Sequence, residues 1–451
     1  SLALLGAFLV FGSISFIFLF LPILVMIYYL ASDKYKNFVL SLASIAFYFM
    51  LSPKYLAVML VSIFFDFAMS FAMKSANQNM KKRAIPLLGS IVKNVVLIAG
   101  VVYVCKQAET ALPVGIFIYT FTAMGYIIDV YEGEVPYENN IIDFTLFCCF
   151  FGKLVFGPII TYKEFLASST AKKHDIKTIS KGGVLFIQGV AKLEIISQSM
   201  FGIYIDFKEI CLENRTIFAS WGLIFCLSMA VYYMLSGYCD IARGTAKLFG
   251  FELQENMVYP YTSPSVKEFF ATFNKSVAAF FGKYVFLPLG GAKRGVVYST
   301  FNILLMCMLW GVWFGFDINF ALWGIYIGIF ICFEQFYFGD VLKKLPEFVG
   351  KFYSRIVILL SFGVFGGKTI QEIGMNFWGL FDFKTFAFYN NQTLYTFVLS
   401  IFPTILSLIF ITKVPEKIGS LFRNKIPKIS EVLATIVYVC VLFFTMGYIL
   451  Y

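Results

Sequence analysis

The sequence predicts an all-α, polytopic membrane protein, and three observations carry that expectation. Sixty per cent of its 451 residues are hydrophobic, with a mean hydropathy of +0.81. Only 14% are charged, whereas soluble domains carry about 25% to coat their surfaces. The apolar residues also fall into runs close to the roughly 20 residues that span a bilayer. Lipid is therefore the solvent for most of the chain, and in lipid each segment must satisfy its own backbone polar groups, so the runs are expected to be helices.

The first run, Leu2 to Leu30, is too long for the core of a secretory signal and has neither a basic start nor a small-residue cleavage site, which reads as a retained anchor. Gly12-Ser13 interrupts it, so the first ten residues either lie along the interface or extend ahead of the first span. Apolar runs then follow near 14–30, 38–51, 55–73, 86–104, 112–129, 141–160, 182–204, 217–236, 299–314, 318–333, 353–366, 393–412 and 431–450. These make about eleven to thirteen hydrophobic elements, and the short ones predict tilted or re-entrant helices packed inside a protein body. No repeat, low-complexity tract or long linker divides them, so residues 1–451 are expected to form a single membrane domain.

A net charge of +10 could suggest nucleic acid. The basic residues, however, gather in short loops between apolar runs, as at Lys74, Lys81, Lys82 and Arg83, at Lys163, Lys172, Lys173, Lys177 and Lys181, at Lys343, Lys344, Lys351 and Arg355, and from Lys413 to Lys428. That is the pattern of cytoplasmic loops that set membrane orientation, and no basic groove interleaved with aromatics supports a nucleic-acid partner. An acidic segment, Asp129, Glu132, Glu134 and Glu138, contrasts with these loops and is expected on the outer face. The nine cysteines include no CxxC pair and read as small buried hydrophobes rather than disulfides or zinc ligands. His174, the one histidine, sits among lysines in a polar loop and reads as a solvated residue.

The stretch from Leu235 to Arg294 mixes glycines, prolines and charges between apolar runs, and polar residues at membrane depth persist mainly around cavities and pathways. It reads Leu235-Ser-Gly-Tyr-Cys-Asp-Ile-Ala-Arg243, then Glu255-Asn256, Pro260-Tyr261, Ser265-Val-Lys-Glu-Phe-Phe270 and Tyr284-Val-Phe-Leu-Pro-Leu-Gly-Gly291. In order and spacing these pieces resemble the central signature of bacterial membrane-bound O-acyltransferases. Leu112-Pro-Val-Gly115, Tyr126-Ile-Ile-Asp129 and Gly157-Pro-Ile-Ile-Thr-Tyr-Lys-Glu-Phe165 extend the likeness, which covers about residues 11–412. Length, the C-terminal helix after Gly366 and the lysine-rich composition look more like the alginate and peptidoglycan acetylation branch than the teichoic-acid D-alanylation branch.

The resemblance implies helices around a central tunnel, with an acyl group passing from a cytoplasmic thioester donor, acyl-CoA or an acyl carrier protein, to an extracytoplasmic hydroxyl on a polysaccharide or lipid. It implies no permanently bound cofactor or metal, a location in the cytoplasmic membrane, and a possible extracytoplasmic hydrolase-like transferase as partner, expected near the acidic segment. Tyr238, Lys267, Tyr284, Trp310 and Trp313 would line the tunnel. Against this, the two histidines on which the family's chemistry is thought to rest are replaced. Asn274 stands at the first position and Phe314 at the second, and Ala271-Thr272 takes the place of the expected basic pair.

A hydroxyl must lose its proton as it attacks, and an imidazole suits that task at neutral pH. Asparagine can orient a carbonyl or stabilise an oxyanion, but phenylalanine neither accepts a proton nor donates a hydrogen bond. Substitute bases among the matched residues are Asp240, Glu268 and Lys275, with Tyr238 or Tyr284 as relays. Each also has a structural reading: Asp240 paired with Arg243, Glu268 with Lys267 at a helix start, the tyrosines at an interface. Gly290-Gly291 beside Lys293-Arg294 has no following Gly-Lys-Ser or Gly-Lys-Thr and reads as a tight turn rather than a phosphate loop. Trp310, Trp313 and Trp323 lie on neighbouring helices and read as core packing or interface markers rather than as a cofactor site. Two functions stay open: an atypical or impaired acyltransferase, and an inactive scaffold or acyl- and lipid-binding partner.

Overall fold

The computed structural model describes residues 11–76, 80–170, 172, 174–425 and 427–450, so the expectation for the first ten residues lies outside the described residues. Helices account for nearly all of the ordered structure, with one isolated β-bridge between Thr216 and Ala387. Among the described residues, seven helices are long and apolar enough to cross a membrane: Pro53–Ser75, Met80–Gln107, Ile176–Glu213, Ile217–Leu248, Ile318–Lys344, Glu347–Phe365 and Asn391–Phe410. Phe16–Leu30, Val296–Val312 and Leu433–Tyr448 are shorter apolar helices, as the uneven run lengths predict.

The chain forms two compact units. The first comprises residues 1–190, 237–255 and 449–451. It contains α1 (Phe16–Leu30), α2 (Lys36–Leu51), α3 (Leu56–Ser75), α4 (Met80–Gln107), α5 (Ile116–Glu132), α6 (Ile141–Cys149), α7 (Tyr162–Thr170), and parts of α8 (Ile176–Glu213) and α9 (Ile217–Leu248). Two runs differ from expectation. The run at 112–129 turns helical only at Ile116, because Gly115 takes a left-handed conformation (φ 77°). The run at 141–160 is a nine-residue helix and then turns, since Phe150 leaves helical geometry (ψ 120°) and Gly157-Pro158 cannot resume it.

Glycine sets the closest packing in this unit. Gly182 backs onto Gly244, and Gly189 onto Gly237, along the antiparallel contact of α8 and α9. A Cβ at Gly189 would stand 2.6 Å from the Gly237 carbonyl oxygen, and one at Gly244 would stand 2.5 Å from the Phe186 nitrogen. Where lipid removes the hydrophobic drive between helices, such close backbone approach supplies the van der Waals contact that holds them.

The strict up-and-down order of α1 to α6 brings most of the unit's charged turns to one end. There Lys74 Nζ donates to Asn139 Oδ1 (2.7 Å), Arg83 Nη2 to the Val130 carbonyl (2.6 Å), Asn37 Nδ2 to Asp143 Oδ1 (2.6 Å) and Lys172 Nζ to Asn37 Oδ1 (2.6 Å). The acidic segment therefore shares an end with the basic turns of this unit rather than opposing them. Charge sign along the sequence does not encode which end a turn occupies; the number of crossings does. The opposite end carries Lys54, Lys106 and Glu109.

A buried polar cluster joins α3 to α4. Asp66, fully buried, accepts from Lys93 Nζ (2.7 Å), Ser90 Oγ (2.6 Å) and Asn94 Nδ2 (3.2 Å to each oxygen). Lys93 Nζ also reaches Ser62 Oγ (2.9 Å) and Asn94 Oδ1 (2.9 Å). Each polar group has a partner inside the pair of helices, which is how such residues persist at membrane depth.

The second unit comprises residues 191–236 and 256–448. It holds the rest of α8 and α9, then α10 (Val266–Thr272), α11 (Lys275–Phe281), α12 (Val296–Val312), α13 (Ile318–Lys344), α14 (Glu347–Phe365), α15 (Ile370–Phe381), α16 (Asn391–Phe410), α17 (Val414–Lys425) and most of α18 (Pro427–Leu450). Helices α12 and α13 form a hairpin closed on glycine: a Cβ at Gly311 would meet the Phe320 oxygen at 2.1 Å, and one at Gly324 the Cys307 oxygen at 2.1 Å. Helix α14 is bonded to α13 through Trp323 Nε1 to Ser361 Oγ (2.9 Å) and Asn319 Nδ2 to the Phe365 carbonyl (2.6 Å). Eight of the nine cysteines are buried and all are free; Cys440 is exposed.

Candidate active site

The second unit holds both positions where the resemblance places histidines. Helix α10 begins where Ser265 Oγ accepts from the Glu268 amide (3.1 Å) and Glu334 of α13 accepts from the Val266 and Lys267 amides (2.7 and 2.9 Å). One carboxylate thus satisfies two donors that a helix start leaves open. Helix α10 ends at Thr272, two residues before Asn274, which adopts a left-handed conformation (φ 52°, ψ 55°) and opens α11.

The strand-like segment before Pro260 fixes Asn274 in place. The Val258 amide donates to the Thr272 carbonyl (3.0 Å) and the Lys275 amide to the Asn256 carbonyl (3.0 Å). Asn256 Nδ2 donates to Asn274 Oδ1 (2.9 Å), Asn256 Oδ1 accepts from the Ser276 amide (2.7 Å), and the Asn274 amide meets Met257 Sδ (3.1 Å). Both asparagines are buried. They form an amide pair that can bind a carbonyl or hydroxyl and cannot take up a proton near neutral pH.

An aromatic box adjoins this pair. Phe273, the neighbour of Asn274, lies 5.8 Å from the Trp310 ring, and Phe270 lies 4.4 Å from it edge-on. Trp310 stacks on Trp323 (5.1 Å) and meets Phe314 (5.6 Å). Phe314 in turn packs edge-on against Trp323 (5.4 Å) and Phe365 (5.5 Å). One indole therefore bridges the two positions, and the ring at the second belongs to an apolar cluster. Phe314 was read as an inert substitution, and its packing gives it a structural role.

The remaining sequence-predicted residues are dispersed. Glu268 and Lys275 are exposed, and Lys267 reaches Gln335 Oε1 (3.3 Å) rather than Glu268. Tyr284 packs on Phe280 (4.8 Å) with Lys283 above its ring (5.1 Å). Trp313 is buried beside Phe314 in sequence. The Gly290-Gly291 turn has positive φ at both residues and is tied to α12 by Asn302 Nδ2, which donates to the Leu289 and Gly291 carbonyls (3.2 and 3.1 Å). In the first unit, Tyr238 is buried near Phe156 (5.6 Å) and Phe11 (6.2 Å), and Asp240 pairs with Arg243 (3.4 Å) as its spacing suggested.

His174 is exposed, as expected, with its ring 5.8 and 5.7 Å from those of Tyr28 and Tyr29. Partial desolvation, with Lys36 and Lys172, holds its pKa below the ordinary value. Burial pushes Lys172 down to about 8. Asp129, Glu132 and Glu134 bring carboxylate oxygens within 4.8 Å of one another, a grouping that could hold a cation. Sequence reasoning missed the Asp66–Lys93 cluster and the Glu334 cap. The signal for the first was Ser62, Asp66, Ser90, Lys93 and Asn94 recurring at helical spacing inside apolar runs. The Glu334 contact spans 67 and 68 residues and has no local signal.

The sequence model of the membrane-bound O-acyltransferase family matches residues 45–365. The chain is 28% identical over 378 residues to a probable alginate O-acetylase AlgI of Pseudomonas fluorescens, covering 83% of this chain and 76% of the relative. It is 26% identical over 415 residues to a peptidoglycan O-acetyltransferase of Helicobacter pylori, covering 81% and 78%. With a teichoic acid D-alanyltransferase of Bacillus subtilis it shares 23% over 265 residues, covering 56% and 67%. The family match takes in well over half of the residues, including the amide pair and the aromatic box: the chain belongs to the membrane-bound O-acyltransferase family.

Proposed function

We propose that this chain binds an acyl thioester donor within the acyl-transfer machinery of the cell surface, and that its own site does not supply the base for turnover. The observation that carries the reading is the setting of the two substituted positions. Asn274 is locked in an amide pair and Phe314 is packed among rings, so neither can accept a proton from a hydroxyl. Family membership and relatives named for alginate and peptidoglycan O-acetylation support a thioester donor, as acyl-CoA or on an acyl carrier protein. Relatives named for alginate and peptidoglycan support a polysaccharide as the hydroxyl acceptor of the machinery; its extracytoplasmic or lipid character, a place in the cytoplasmic membrane and a separate hydrolase-like transferase that completes delivery are parts of the proposal itself.

A second reading, turnover with a replacement base, is favoured by Asp240, a buried carboxylate in the matched Ser-Gly-Tyr-Cys-Asp stretch. Transfer from a radiolabelled acyl thioester in liposomes separates the two, comparing the native chain with an Asn274→His/Phe314→His double variant. Donor binding without transfer by the native chain, and transfer by the double variant alone, is the expected result. Turnover by the native chain that Asp240→Asn abolishes would replace the first reading with the second. Isolation in mild detergent tests the partner, which should co-purify.

A further inference from the structure

Every indole in a buried site carries one N–H that must find an acceptor or cost stability. Trp323 satisfies its own on Ser361 Oγ (2.9 Å), and Trp221 on the Leu380 carbonyl (3.3 Å). Trp310 does not. It is 3% exposed, and its Nε1 is buried with no acceptor among the described residues. Its surroundings explain why: Phe270, Phe273, Phe314 and Trp323 present rings on the sides described, none of which offers an oxygen. A phenylalanine would keep an aromatic ring there without leaving a donor unmet.

The unmet donor also occupies a telling place. Its ring touches Phe273, next to Asn274, on one side and Phe314 on the other, so it bridges the two positions from which the family's histidines are missing. We infer that Trp310 Nε1–H is the hydrogen-bond donor to the carbonyl oxygen of the bound acyl group, a neutral contact that holds the thioester without activating an acceptor. This rests on the donor-binding reading above. The ligand class is an acyl thioester, recognised by its carbonyl in a ring-lined site where one hydrogen bond gives a modest preference.

The test uses the full chain in detergent or nanodiscs, with acetyl-coenzyme A and S-ethyl-coenzyme A as probes. The second probe replaces the carbonyl by a methylene and is otherwise matched. The native protein should bind the thioester roughly threefold to tenfold more tightly than the thioether, the worth of one neutral hydrogen bond. Trp310→Phe should bind the thioether as the native protein does and lose the preference for the thioester. Unchanged discrimination in Trp310→Phe overturns the inference alone. Failure of the native chain to bind either probe overturns the donor reading and this inference with it.

Discussion

Asn274 combines two stresses that substitutions can separate. Its side-chain oxygen accepts from Asn256 Nδ2 in a buried setting, and its backbone sits at φ 52°, where a Cβ crowds the following carbonyl. Replacing it by alanine leaves Asn256 Nδ2 without that acceptor, at a cost of about 1–3 kcal/mol. It also places in the left-handed region a residue that occupies it at a penalty of about 1–2 kcal/mol, which asparagine partly escapes. Asn274→Ala should therefore lose about 2–5 kcal/mol of stability. Asn274→Gly loses the same hydrogen bond but not the backbone term, so it should be more stable than the alanine variant by about 1–2 kcal/mol. Unfolding in mixed micelles followed by tryptophan fluorescence measures both. A glycine variant less stable than the alanine variant, or an alanine variant equal to the native protein, would refute the account of this residue.

Three other outcomes are expected. Asp66→Ala strands the Lys93 ammonium in the α3–α4 pair and should cost about 3–5 kcal/mol, most of which an added Lys93→Met returns; a double-mutant cycle in the same micelles reads the coupling. Lys172, with its pKa pushed down to about 8, should react with a soluble amine reagent at pH 7 up to roughly 300-fold faster than an unperturbed lysine, because far more of it is neutral. Its labelling rate, read by mass spectrometry, should level off above pH 8 while other lysines continue to accelerate. Since folding lowers this pKa, the matching stability is present above pH 10.5 and lost as pH falls toward about 8. Gly189→Leu should separate α8 from α9 and abolish folding into a monodisperse species, as size-exclusion chromatography would show, whereas Gly183→Leu, where nothing lies within 4 Å of an added Cβ, should not.

The helical membrane architecture was legible because lipid permits few alternatives: a long apolar run must close its own backbone hydrogen bonds. The Asp240–Arg243 pair was legible because it is local, one helical turn apart. What was not legible were features set by topology or distance. The acidic segment joined the basic turns because the number of crossings before Asp129 brings it to their end, a parity that charge alone does not reveal. Asp66 and Lys93 were averaged away inside hydrophobic windows, although their partners recur with helical period. For Asn274, the sequence identified the substitution but not the left-handed backbone or the Asn256 partner, which depend on how the segment before Pro260 folds back. Phe314 read as a loss, and only the rings around it show that it fills space.

The glycine contact of α8 with α9 also acts as a rotational key. Gly237 and Gly244 are seven residues apart, two turns of helix, and so lie on one narrow stripe. Turning α9 by a single residue, about 100°, would drive a side chain into a gap that has no room for a Cβ. The directions in which Tyr238 and Asp240 project are therefore fixed by neighbouring glycines that carry no chemistry themselves. A change at Gly189, on the facing helix, would rotate that part of the matched signature without altering one of its residues.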